Sequence, residues 1–314
     1  MRLKFIFAIA ILVTSSSCFK SRRSDKAGEK MQEFIIDISN YAKAQKPGFI
    51  IIPQNGAELA FNYLYQPDGT YAAYLSAIDG FGIEELFYNY SYEPDQERID
   101  MLRELVGSKP VMVSEMVTDP NSIGHAYQLN ANEGFLCFVR DANNYDYLNI
   151  PDTIVDENSD DIFTLAQAKN YLYLISTDAF STKAEFLSAI AATNYDVILI
   201  DLFFGDDVLT TTDLQSIRHK ANGGQRLLIS YISIGSAENY RYYWEENWKL
   251  HHPSWLKREY DGYPDEFWVK FWKDEWREII FGNDNSYIKK IINAGFDGAY
   301  LDNVEAYYYL YFDE

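Results

Sequence analysis

Eight short and almost wholly apolar runs, each closed by polar or turn-forming residues, limit what this chain can fold into more than any other feature. They are Phe49–Pro53, Glu85–Tyr88, Pro110–Val117, Gly134–Val139, Tyr171–Ile175, Asp196–Leu202, Leu227–Ile234 and Asp297–Leu301. A strand that alternates apolar with polar residues has one wet face; a strand apolar throughout is covered on both, which is the condition of a parallel sheet. Helical spacing fills most of the intervals, at Asp95–Val106, Thr182–Thr193, Thr212–Ala221 and Asn285–Ala294. Ahead of the first run, Met31–Lys46 sets Phe34, Ile35, Ile38, Tyr41 and Ala42 on one helical face, and Pro47-Gly48 ends it. Covered strands separated by helices predict an α/β fold, a single-domain (β/α)8 TIM barrel over residues 31–314, with a doubly wound open sheet as the alternative. The interval 142–166 carries no helical stripe.

The start of the chain reads differently. Arg2 and Lys4 precede the apolar run Phe5–Val13, and Thr14, Ser15, Ser16 and Ser17 lead to Cys18. A basic start, a short apolar middle and small residues before a cut predict a signal peptide over 1–17. The apolar run is too short for a transmembrane helix, which needs about 20 residues. Cys18 after three small residues is similar to a lipobox, in which the thiol is acylated, although Ser15 stands where Leu is usual; ordinary cleavage nearby is the alternative. Residues 18–30 then suit a lipid-anchored tether, and the expected location is a bacterial membrane facing the periplasm or the cell surface. Cys137 is the other cysteine, so the mature part has no internal disulfide and depends on its core.

Charge narrows the partners. The chain has 27 basic and 47 acidic side chains, a net charge of −20, and no basic block outside its first 30 residues. Such a surface repels a phosphate backbone, which argues against nucleic acid. Histidine occurs only four times, no HxH, HExxH or CxxC spacing is present, and no GxSxG marks a nucleophile elbow. No metal or other cofactor is expected.

In a barrel the active face forms at the carboxyl ends of the strands. The polar residues there are Gln54, Asn55, Glu115, Asp141, Ser176, Asp178, Asp201, Ser233, Glu238, Asp302 and Asn303. Acids and amides dominate, which leaves carboxylate chemistry, and glycoside hydrolysis uses two carboxyl groups flanking the scissile bond. Asp201, after Val197–Ile200, falls at the mouth; capping the next helix is its alternative role. Glu238 lies in the loop after Ser233, where Gly235 lets backbone approach a ligand and Arg241 pairs with Glu238 to give it a binding or orienting role. Glu266 follows the turn Gly262–Asp265 inside the aromatic stretch His251–Trp276, where desolvation would raise its pKa as a general acid requires. A solvated surface Glu is the alternative there.

These segments resemble a known family, the endo-α-1,4-polygalactosaminidase-like glycoside hydrolases of family 114. The resemblance is carried by Tyr195–Asp201, Ile232–Trp244, Pro253–Leu256, Trp272–Trp276 and Ala294–Asp302, and more loosely by Ile38–Ala42, Ile52–Gly56, Tyr74–Gly80 and Glu85–Tyr88. In the family the part similar to 170–310 comes first, so the two halves here stand in exchanged, circularly permuted order. A closed barrel tolerates that, because it can be opened at any loop.

The resemblance implies a TIM barrel that cleaves α-linked galactosamine or N-acetylgalactosamine polymers. Its catalytic pair, an Asp after a strand and a Glu in a Gly-Trp-Pro-Gly-Glu-like loop, falls on Asp201 and Glu266, with Tyr263 and Asp265 where the family has Trp and Gly; Glu259 is the reserve acid. Substrate binding is expected of Gln54, Asn55, Asp178, Tyr231, Glu238, Arg241, Asp302 and Asn303. A non-catalytic glycan-binding lipoprotein on the same barrel is the alternative function, and a monomer with a polysaccharide partner is expected.

Overall fold

The computed structural model describes residues 4–312, with side chains from 23 to 311. All eight apolar runs form strands: β1 (Ile50–Pro53), β2 (Phe81–Tyr92), β3 (Val111–Val117), β4 (Leu136–Arg140), β5 (Tyr171–Leu174), β6 (Val197–Asp201), β9 (Leu227–Ser233) and β13 (Gly298–Asp302). A two-residue hairpin, β7 (Phe203–Phe204) and β8 (Asp207–Val208), follows β6. A small antiparallel sheet of β10 (Ser236–Glu238), β11 (Leu256–Tyr260) and β12 (Tyr263–Val269) follows β9.

The eight main strands run parallel in two sheets, β2-β3-β4 and β5-β6-β9-β13-β1. A parallel bridge between Gln54 and Gly82 joins β1 to β2. Across the remaining seam, β4 and β5 lie side by side without ladder pairs among the described residues. Aromatic rings occupy it: Phe138 lies 5.8 Å from Tyr171, and Tyr147 stacks on Tyr173 at 3.7 Å. An α/β fold with parallel sheets is thus established, and its strands are covered on both faces as their sequence demands.

The four helices expected between strands form, and α2 (Ala72–Ala77), α4 (Ile123–Glu133) and α7 (Asp274–Ile280) add to them. Asp95 caps α3 (Gln96–Leu105) by accepting the Arg98 N–H at 3.0 Å, and Thr182 caps α5 (Lys183–Ala191) by accepting the Glu185 N–H at 3.1 Å. Shorter than its spacing suggests, α6 (Thr211–Ser216) stops before Ala221. The residues beyond it are committed elsewhere: Lys220 is buried against Asp196 at 2.5 Å, and the carbonyl of His219 accepts from Arg226 at 2.6 Å. The stripeless interval 142–166 is loop apart from short turns.

The opening helix, α1 (Lys4–Gln45), is longer than the sequence suggests. Part of the stretch expected to be a tether, 23–30, continues the helix, and Ser24, Ala27 and Gly28 extend the buried stripe of Met31, Phe34, Ile35 and Ile38. A Cβ on Gly28 would sit 2.1 Å from the end of the Leu64 side chain, which would have to turn aside. The helix packs on α8 (Tyr287–Ala294) and α9 (Ala306–Phe312), which flank β13. Tyr41 donates to the Asn283 carbonyl at 3.2 Å and Asp37 pairs with Arg277 at 2.5 Å. Each large apolar side chain buried here contributes about 1.5–3 kcal/mol. The side chain of Cys18 lies outside the described residues.

Candidate active site

The carboxyl ends of the parallel strands open into one cavity of about 860 Å³. All ten residues expected at the site line it: Gln54, Asn55, Asp178, Asp201, Tyr231, Glu238, Arg241, Glu266, Asp302 and Asn303. Glu84, Glu85, Arg140, Tyr145, Tyr147, Tyr173, Tyr240 and Glu305 join them.

Asp201 ends β6 and is 8% exposed. Arg241 meets it with two prongs, at 3.0 and 2.7 Å, and the Phe203 N–H donates to it at 2.8 Å. The same guanidinium holds Glu238 at 2.7 and 3.0 Å, and Tyr240 donates its hydroxyl to Glu238. The pairing of Arg241 with Glu238 was legible in their spacing; the second hold on Asp201 was not. Burial raises the Asp201 pKa, while Arg241 and the Phe203 N–H oppose the rise. Burial works against the charge on Arg241, but Asp201 and Glu238 outweigh it and lift its pKa well above the ordinary value. A planar fork between two carboxylates fixes both in orientation.

Glu266 sits on β12 directly opposite Glu238 on β10. Of the turn expected over Gly262–Asp265 only Gly262 lies in the bend of a β-hairpin, since Tyr263–Asp265 already belong to β12, and Glu266 lines the cavity from that strand. Its pKa is pushed up to about 8, by burial first and then by Glu238 across the strand pair. A donor chain orients it and opposes part of that rise: Asn303 donates to the Ser236 hydroxyl at 3.1 Å, which donates to Glu266 at 2.9 Å. Near neutral pH this carboxyl keeps its proton, which is the state of a general acid.

Across the cavity floor, Tyr231 donates to Asp302 at 2.5 Å. Burial and then Glu84 push the Asp302 pKa up to about 7. Glu305 is pushed up to about 8, by burial and then by Glu58, and accepts from Asn55 at 3.2 Å. Asn55 also accepts the Glu84 N–H at 3.1 Å, and Gln54 accepts the Tyr173 hydroxyl at 3.1 Å. Asp178 is an exposed residue of the rim.

Five expectations need correction, the first being Ser233, which is buried outside the cavity and hydrogen-bonded to Ser236. Asp141 turns away, accepting the Asn143 N–H, and Arg140 lines the cavity instead; successive strand residues face opposite ways, so one position decides it. Glu115 is wholly buried outside the cavity. The reserve acid Glu259 is exposed on β11 and does not line the cavity. Gly235 makes room for the chain and not for a ligand, since a Cβ there would lie 1.8 Å from the Asn303 carbonyl.

Sequence reasoning also missed Glu84, Glu85 and Glu305. Arg140 is a strand end one position before the Asp141 that was expected, and the acids of β2 sit in a strand irregularity that leaves no periodic trace. No cluster of three or more His, Cys, Asp or Glu among the described residues is arranged to hold a metal ion. None of the helices searched there is long and apolar enough to cross a membrane.

Residues 166–313 match the model of glycoside-hydrolase family GH114. An uncharacterized protein of Thermotoga maritima is 42% identical over 81 residues, which cover 26% of this chain and 24% of that protein. One from Deinococcus radiodurans is 36% identical over 121 residues, or 38% and 37% of the two chains. Uncharacterized protein MJ1477 of Methanocaldococcus jannaschii is 33% identical over 152 residues, or 48% and 42%. The chain therefore spans less than half the length of each of these relatives. Residues 166–313, which hold Asp201, Glu238, Arg241, Glu266 and Asp302, are thus the part of the chain that is similar to glycoside-hydrolase family GH114.

Proposed function

We propose that this chain hydrolyses a polysaccharide of α-linked galactosamine or N-acetylgalactosamine, with Glu266 as general acid and Asp201 as nucleophile or base. The observation that carries the reading is the contrast in one cavity between a carboxyl kept protonated, Glu266, and one fixed by an arginine fork, Asp201. Burial raises both pKa values, and the arginine fork that opposes the rise at Asp201 favours it for the nucleophile or base role and Glu266 for the acid. The surplus of acids over the two lining arginines favours a sugar that carries amino groups, and the lining tyrosines supply flat faces for its rings.

The parallel strand order, the β1–β2 bridge and the ring-filled seam between β4 and β5 support closure into a (β/α)8 barrel. The exchanged order of the halves is part of the same proposal: 31–165 lies outside the family match yet supplies Gln54, Asn55, Glu84, Glu85 and Arg140 to the cavity. Acylation of Cys18 behind a signal peptide at 1–17 would tie the domain to a membrane. Replacing Cys18 by Ser tests this, and a variant that stays in the membrane fraction removes the anchor.

One observation favours the second reading, a glycan-binding protein without turnover: both Asp201 oxygens are already engaged by Arg241. Incubation with α-1,4-linked galactosamine polymer decides between them. Release of reducing ends that Asp201→Asn abolishes supports hydrolysis; saturable binding without release, unchanged in Asp201→Asn, supports the binder.

A further inference from the structure

β2 leaves regular strand geometry where it reaches the cavity. Glu84 pairs with Ser114 and Asn89 with Met116, so residues 85–88 stand opposite Glu115 alone. Successive side chains of a regular strand point to opposite faces. Glu84 and Glu85 nevertheless both line the cavity, because Glu85 adopts a left-handed backbone with φ of 54°. A non-glycine residue is held in that region by its surroundings and not by preference.

Two side chains outside the cavity do the holding. The buried Glu115 carboxylate accepts the N–H of Phe87 at 3.2 Å and of Tyr88 at 3.0 Å, and is itself fixed by the Asn130 amide at 2.9 Å. Arg98, on α3, donates to the carbonyls of Glu84 and Glu85, both at 2.9 Å, and is oriented by Asp95 at 2.8 Å. Backbone groups that a continuous ladder would satisfy are thus satisfied from both sides by side chains. Glu115 has no ion-pair partner among the described residues, and a carboxyl buried on hydrogen bonds alone is costly to keep. What it yields is shape: Glu85 comes to rest 3.0 Å from the Arg140 guanidinium, and Glu84 accepts the Tyr147 hydroxyl.

We propose that Glu115 and Arg98 are positioning residues that set the left-handed turn at Glu85 and so build the Glu85–Arg140 pair into a substrate-binding wall of the cavity. The pair offers a sugar both carboxylate acceptors and guanidinium donors, from the half of the chain outside the family match. For its substrate the proposal rests on the hydrolase reading above.

The test measures kcat and KM on soluble α-1,4-linked galactosamine polymer for wild type, Glu85→Gln, Glu115→Gln and the double variant. Glu115→Gln puts an amide donor where backbone donors point, and KM is expected to rise about tenfold while kcat stays within about threefold. The double variant should match Glu85→Gln alone, since a wall residue already removed cannot be misplaced again. Additive losses, or an unchanged KM in Glu115→Gln, would overturn the proposal. Should Glu115→Gln not fold, Arg98→Lys combined with Glu85→Gln makes the same comparison. If wild type binds the polymer without cutting it, the hydrolase reading alone fails and dissociation constants replace KM in the cycle; a wild type that neither binds nor cuts overturns both.

Discussion

Around Arg241, Asp201 and Glu238 share one guanidinium, whereas Asp302, Glu305 and Glu266 face the same cavity without an ion pair among the described residues. The unpaired three are pushed up to about 7, about 8 and about 8, with burial as the first cause in each. On the paired side Arg241 opposes the rise that burial imposes on Asp201; on the unpaired side burial raises the pKa values with no ion pair against it. Chemically alike groups are thus divided by the position of one arginine, and that arginine comes from the loop after β10, three residues beyond Glu238.

The comparison breaks most severely at Asp201. Asp201→Asn keeps the shape of the fork and removes the charge that stabilises an oxocarbenium-like transition state, so kcat on the polymer is expected to fall at least about a thousandfold. Loss of less than about tenfold would take Asp201 out of the chemistry.

Arg241→Met removes the shared cation and leaves two buried carboxylates facing each other. Stability should drop by about 3–5 kcal/mol, read by denaturant unfolding at pH 7. Unchanged stability would mean that the fork is not what holds Asp201 and Glu238.

A smaller effect sharpens the unpaired side. Asp302 and Glu305 have folded pKa values raised above their ordinary ones, so their stabilising share is fully present below the ordinary carboxylate range and is lost as pH rises through about 7 and about 8. Melting temperature should therefore fall from about pH 4 to about pH 8, the span between the ordinary and the folded values. Asp302→Asn should flatten the lower part of the fall, and an unaltered slope would contradict the assignment.

The same contrast explains what could be read before the fold was known. Covered strands announce themselves by lacking alternation, so all eight were legible, and Asp201 and Asp302 followed as strand ends. Glu266 was legible through its aromatic setting, although its hairpin was taken for a turn in a loop. Glu84 and Glu85 were hidden because one left-handed residue breaks the period of β2, and Arg140 because a shift of one residue changes the face. The 23–30 segment misled because its polar residues alternate with a narrow buried stripe of small ones, Ser24, Ala27 and Gly28, that carries little hydrophobic signal.

The division of roles in the cavity depends on the protonated state of Glu266, which the pH dependence of kcat/KM on the polymer reads. Activity should decline on the alkaline side with a midpoint at about 8, as Glu266 loses its proton. Glu266→Gln should remove that decline together with most of the activity on the polymer, while an aryl glycoside with a good leaving group loses much less. An alkaline decline that persists unchanged in Glu266→Gln, with equal losses on both substrates, would place the acid elsewhere in the cavity and contradict the division of roles.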